Sequence, residues 1–257
     1  MILEEYLQKR SKGDVGIEIE CEGKRLPAEI PRECGWLVVA DGSLRGGYEY
    51  IFRGAKPISS VKGMLSDLNN IFEEEKSILD FSFRTSVHVH VNCLPLTYPQ
   101  IMNAIYAYLL FEPVLIAFSG DARKSNRFCL GISDAEGLLD IVHELYQISD
   151  MGDDAFGQIG HIVREDEVKY SAINIASLRK HGTIEIRSMR GTNDPEIIVP
   201  WAEVLVSIRN WAKGFGCPKD IFNYVQEVGI LNSFKEVSKK HYDKFFYPEI
   251  EEELSMA

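Results

Sequence analysis

With 257 residues the chain can bury roughly three quarters of its unfolded surface, so neither a disulfide nor a metal is needed merely to hold a core. Hydrophobic residues make up 45% and charged residues 26%, which excludes a disordered chain. A net charge of -11 argues against non-specific binding to nucleic acid or to an anionic membrane, while leaving room for a local basic pocket.

The first ten residues, MILEEYLQKR, contain two acids and no apolar run of the kind a signal peptide carries. Alternation predicts a strand over 14–22, then strands over 36–40 and 48–53 joined by turn-rich Asp41-Gly-Ser and Arg45-Gly-Gly. Residues 57–75 have helical spacing, with Val61, Leu65, Leu68 and Phe72 on one side. A strongly alternating strand is expected over 83–92, and a mainly apolar helix over 99–118, bent or ended near Pro113. The apolar stretch 104–118 is broken by Glu112 and Pro113 and reads as too short to cross a bilayer.

Ser133 opens a predicted helix running to about 148, with Glu136 completing a capping box. The glycine- and acid-rich segment 152–169 reads as a long loop and a candidate lid. Strands are expected over 170–176 and 183–189 around a His181-Gly182 turn. Pro195 starts a long helix to about 213, two shorter helices fill 218–240, and the last residues, EIEEELSMA, form a solvated tail. The five cysteines are odd in number and lack metal-knuckle spacing, as reduced thiols would. These features predict a soluble cytoplasmic protein with no membrane partner. One domain is expected over 1–257, with a core at 14–212 and a helical extension and acidic tail at 213–257.

Side chains on a strand alternate between faces, and several strands here are charged on one face only. In Gly16-Ile-Glu-Ile-Glu20, Glu18 and Glu20 oppose Ile17, Ile19 and Cys21. In the strand ending at Asn92, Arg84, Ser86, His88, His90 and Asn92 oppose Val87, Val89 and Val91. Glu185 and Arg187 oppose Ile184 and Ile186; Tyr170 and Asn174 oppose Ile173 and Ile175; Glu49 opposes Tyr48 and Tyr50. Each segment alone is a solvated strand face. Together they predict an α+β fold with a mainly antiparallel sheet, helices on its apolar face and the polar groups on the other. Carboxylates, imidazole and arginine on one surface suit a divalent metal and a phosphate. No Walker or dinucleotide-binding glycine motif is present.

The order of these motifs resembles the amidoligases, a branch of the carboxylate–amine ligases that includes glutamine synthetase and γ-glutamylcysteine synthetase. The elements are Gly16-Ile-Glu-Ile-Glu20, Asp41-Gly-Ser-Leu44 with Gly47-Tyr-Glu49, His88-Val-His-Val-Asn92, Asn174, Gly182-Thr-Ile-Glu-Ile-Arg187, Gly191-Thr192 and Trp201. The resemblance implies a glutamine synthetase-like catalytic sheet that binds ATP and Mg²⁺, with Mn²⁺ a substitute. It assigns metal ligation to Glu18, Glu20, Glu49, Glu185 and one of His88 and His90, with His88 favoured. Arg187 would contact the transferred phosphoryl group, His90 and Arg84 would assist, and Glu18, Asn174, Arg123 and Arg127 would contact nucleotide. For Arg123 and Arg127 the match is loose, and a basic surface turn is the stronger reading.

The implied reaction phosphorylates a carboxylate and passes the acyl group to an amine. The substrates would be small molecules or peptides. Oligomeric state stays open, and nothing points to nucleic acid. A metal-dependent hydrolase built on the His-x-His pair, and a non-catalytic protein retaining the fold, are the alternatives.

Overall fold

The computed structural model describes residues 1–120, 123, 124, 126, 127, 129–135, 137–164, 168 and 170–245. Its strands are β1 (Val15–Lys24), β2 (Trp36–Ala40), β3 (Tyr48–Phe52), β4 (Ile78–Asp80), β5 (Ser86–Asn92), β6 (Ile173–Asn174) and β7 (Thr183–Arg190). They form one sheet in the order β2-β3-β1-β5-β7-β6, with β4 paired to the end of β1. All these pairs are antiparallel. The α+β expectation with an antiparallel sheet therefore holds.

The β-branched face is dry. Ile17, Ile19, Cys21, Val87, Val89, Val91, Ile184 and Ile186 are all buried in the main core. The helices are α1 (Leu3–Leu7), α2 (Val61–Glu74), α3 (Tyr98–Ser119), α4 (Leu138–Gln147), α5 (Ala155–Ile162), α6 (Ser177–His181), α7 (Pro195–Ala212), α8 (Pro218–Val228), α9 (Ile230–Ser238) and α10 (Tyr242–Phe245). Helix α2 presents the predicted stripe of Val61, Leu65, Leu68 and Phe72, and Phe72 meets Tyr50 of β3 edge to face at 4.9 Å. Helix α7 lies along α3, where the Tyr108 hydroxyl donates to the Leu205 carbonyl at 2.7 Å. Helices α9 and α10 close the far side, with Phe234 edge to face on Phe111 and Phe245 stacked on Phe118 and Trp201.

Several expectations change. Pro113 does not end α3, which runs 22 residues; by length and composition it could cross a bilayer, but 67% of its most apolar window is buried in the fold. Proline removes one helical hydrogen bond, and the packed Phe111, Val114 and Leu115 on either side carry the helix through. Helix α4 starts at Leu138, not Ser133, and the capping-box partner Glu136 lies outside the described residues.

Within the expected loop 152–169, residues up to 162 are helical: a 3₁₀ segment, Ile148–Asp154, leads into α5, which buries Ala155, Phe156 and Ile159, while 165–167 and 169 lie outside the described residues. Burial of three apolar side chains outweighs the glycine and acid content there, so the loop-lid expectation does not stand for that stretch. The predicted 170–176 strand contracts to two residues, and the expected turn at His181-Gly182 is the end of α6. Strand β4 was not anticipated. The tail from 246 lies outside the described residues.

Candidate active site

Register decides which side chains of the polar face become neighbours. Glu20 of β1 lies opposite Glu49 of β3, and Glu18 lies opposite His88 of β5. His90 in turn pairs with Glu185 of β7. Four adjacent strands, β3, β1, β5 and β7, thus bring Glu49, Glu18, Glu20, His88, His90 and Glu185 together as alternation predicts. His88 is central and 2% exposed. Its Nδ1 is 3.2 Å from Glu18 Oε2 and 3.6 Å from Glu185 Oε1, and its Nε2 is 3.8 Å from Glu20 Oε1. His90 Nε2 is 3.2 Å from Glu18 Oε1, while its Nδ1 meets Thr183 Oγ1 at 3.0 Å.

Two overlapping donor sets emerge, Glu18–His88–Glu185 and Glu20–Glu49–His88, each with ligand atoms within 4.8 Å of one another. His88 belongs to both and His90 to neither, which favours His88 over His90 as a ligand. Each set offers two carboxylates and one imidazole. That oxygen-rich chemistry fits Mg²⁺ or Mn²⁺.

Neighbouring polar residues fix the carboxylates. Ser86 Oγ donates to Glu20 Oε2 at 2.5 Å and lies 2.7 Å from His88 Nε2. Asn174 Nδ2 and Ser177 Oγ both donate to Glu185 Oε2, at 2.7 and 2.9 Å. Asn174 therefore serves the carboxylate set, as a hydrogen-bond donor to Glu185. Ser177 was missed because α6 was read as part of a turn.

The electrostatics follow from this crowding. Burial alone would raise the Glu18 carboxyl, but hydrogen bonds from His88 and His90 outweigh it and hold it well below the usual range. Burial likewise opposes ionisation of Glu185, yet the His90, His88 and Arg187 charges bring it down to about 2. Glu49 has no such partner, and burial together with the Glu18, Glu20 and Asp41 charges pushes it up to about 7. The four carboxylates of the cluster outnumber its one guanidinium, Arg187, and a divalent ion would add positive charge beside them.

Arg187 shares the polar face of β7 with Glu185 by alternation, and a β-bulge begins at this point. The β5–β7 pairing jumps from Val87↔Met189 to Val89↔Ile186, so Arg187 and Ser188 together face His88. Arg187 Nη1 donates to Glu185 Oε1 at 2.5 Å, and its Nε is buried with no hydrogen-bond partner among the described residues.

The structure corrects the expectation for Arg123. It is 2% exposed, so it is no surface turn. Nor is it free to hold nucleotide through its Nε and Nη2, which donate to the Ser188 carbonyl at 3.0 Å and the Arg187 carbonyl at 2.7 Å. These are the two carbonyls of the bulge. Arg84 donates to the Ser43 carbonyl at 3.0 Å, tying the strand entrance to the β2–β3 turn. Arg127 lines neither of the cavities described next.

Two cavities open beside the cluster. One, about 330 Å³, is polar and includes Asn174, Ser177, Lys180, Glu185 and Arg187. The other, about 480 Å³, has the apolar walls Ile51, Phe52, Ala55 and Leu94 and the basic residues Lys9 and Arg10. Gly16, on the same strand face as Glu18, forms part of its floor; a Cβ there would lie 3.3 Å from His90 Cβ. Glu18, His90 and His181 line both cavities.

No curated protein matches the sequence. A family model described as "Putative amidoligase enzyme" matches residues 53–209, which include His88, His90, Asn174, Glu185 and Arg187. Glu18, Glu20 and Glu49 precede that match and join the site through strand pairing with it. With more than half of its length matched, and its polar strand faces converging on one cluster, the chain belongs to the amidoligase family.

Proposed function

We propose that this protein is an ATP- and divalent-metal-dependent carboxylate–amine ligase, and that its sheet is a catalytic sheet of the glutamine synthetase type. The observation that carries the reading is the pair of donor sets sharing His88, flanked by the buried, unpartnered Nε of Arg187. Mg²⁺ or Mn²⁺ held by Glu18, Glu20, Glu49, His88 and Glu185 would neutralise charge on a transferred phosphoryl group.

In the first half-reaction a substrate carboxylate oxygen bonds to the terminal phosphorus of ATP, and ADP departs with the bridging electron pair. In the second, an amine nitrogen bonds to the acyl carbon, phosphate leaves with the C–O electrons, and the nitrogen gives up a proton. Arg187 lines the polar cavity, and its guanidinium would contact a phosphoryl oxygen there, a contact a planar guanidinium makes better than an ammonium. His90, held between Glu18 and Thr183, orients the carboxylate that both cavities share. Water would consume an acyl phosphate, so the substrates filling the two cavities would need to displace it.

The test combines binding and turnover. Calorimetry should show nucleotide binding that needs Mg²⁺ or Mn²⁺, and thermal stability should rise more with both than with either alone. Glu185→Ala should abolish carboxylate-dependent ADP release, and Arg187→Lys should lower it by about 10²–10³-fold. Absence of metal-dependent nucleotide binding would overturn the proposal. Tight Zn²⁺ binding without nucleotide would favour a hydrolase instead.

A further inference from the structure

We propose that His181 is the proton acceptor for the amine that attacks the activated carboxyl group. This role rests on the ligase reading of the same site. The first support is position. His181 lines both cavities at the place where they meet, together with Glu18 and His90. A group that takes a proton as two substrates join must be reachable from the chambers that hold them.

The second support is availability. The His181 ring meets His90 edge to face, with centroids 5.8 Å apart, and among the described residues neither ring nitrogen has a hydrogen-bond partner. His88 and His90 are both engaged with carboxylates and are poor candidates for a free base. Burial, and then the His90, Lys180 and Lys9 charges, hold the His181 imidazole below its ordinary pKa, so it is the neutral form that faces the cavities.

The third is fixed placement. His181 ends α6, and Gly182 follows at φ 70°, a left-handed conformation. A Cβ on Gly182 would lie 2.3 Å from Leu94 Cδ2, so a larger residue would have to displace the Leu94 side chain as well as hold the left-handed φ. The chain direction just after His181 is thereby set.

The proposed step balances as follows. A proton passes from the acceptor's ammonium group to a ring nitrogen of His181, the freed amine nitrogen bonds to the acyl carbon, the C–O bond to phosphate breaks with its electron pair on phosphate, and the second nitrogen proton leaves with the phosphate. The resulting imidazolium then releases the proton to solvent, for which its exposed edge is suited.

The experiment compares two nucleophiles. Hydroxylamine is largely unprotonated at neutral pH and attacks acyl phosphates without a base, whereas ammonium and glycine must first lose a proton. Wild type, His181→Ala and His181→Asn are each supplied with ATP, Mg²⁺ and a panel of common amino acids and small peptides as carboxylates. The nucleophile is hydroxylamine, ammonium or glycine. The variants should form hydroxamate at close to the wild-type rate while losing about 10²–10⁴-fold in amide formation. Added imidazole should partly restore amide formation in His181→Ala. Equal loss with both nucleophiles, or no loss with either, overturns the role of His181 and leaves the ligase reading intact. Wild type that gives neither hydroxamate nor ADP overturns the ligase reading, and this role with it.

Discussion

Glu112 shows how a single buried carboxyl links the fold to pH. It sits on α3 at 5% exposure, where its Oε2 accepts the Ile132 N–H at 2.7 Å and its Oε1 has no partner among the described residues. Burial raises its pKa from 4.5 to about 7, and the Asp134 charge adds to this. Because the folded-state value is the higher one, the native state binds the extra proton. The associated stability is fully present below about pH 4.5 and is lost as pH rises to about 7. At roughly 1.4 kcal/mol per unit, the effect is on the order of 3 kcal/mol. Glu112→Gln keeps an oxygen for Ile132 and removes the titration. Urea unfolding midpoints at pH 5 and pH 8 should therefore differ less in the variant than in wild type. An unchanged difference would mean that Glu112 titrates normally.

At the scale of elements, the bulge in β7 switches which face the strand presents after Arg187. An unbroken ladder would let alternation continue past Ile186 and would put position 189 on the polar face; instead Met189 is buried with Val87 in the core. The cost of the bulge is two carbonyls turned out of the ladder, and Arg123 satisfies both. Arg123 is thus a positioning residue for Arg187. Arg123→Met should destabilise the fold by about 1–3 kcal/mol for each acceptor left unsatisfied. It should also accelerate hydrogen exchange at the amides of residues 187–189 more than in β1. Uniform exchange rates across the sheet in the variant would show that Arg123 supports the fold generally and not the bulge in particular.

Over the whole molecule, one core runs from the sheet through α3 and α7 to the C-terminal helices. Phe234, Val237 and Phe245 belong to the same buried cluster as Val89 and Ile186. The family match ends at residue 209, yet the helices that follow cover Phe111, Phe118 and Trp201. Unfolding should accordingly be a single calorimetric transition. Phe234→Ala should lower its midpoint, costing about 3–5 kcal/mol. Removal of residues 213–257 should leave a protein that does not fold solubly. A separate low-temperature transition assigned to the C-terminal helices would show that they are an independent unit.

The sequence by itself determined the two faces of the sheet. A period of two is a local property of the chain, so Glu18 and Glu20, His88 and His90, and Glu185 could be assigned opposite their β-branched neighbours without knowing any strand's partner. The helical stripe of α2 was legible for the same reason. Its four expected residues, Val61, Leu65, Leu68 and Phe72, are the ones buried. What tertiary structure alone decided is whatever depends on who sits beside whom. Strand register chose His88 over His90 as the residue common to both donor sets. The bulge recruited Arg123, whose local sequence, rich in small and basic residues, reads as a surface turn. Packing turned a glycine- and acid-rich stretch into α5 and made His181 the end of a short helix between two cavities. Local patterning sets which way a side chain points. Only the assembled sheet and the helices packed around it set what that side chain meets.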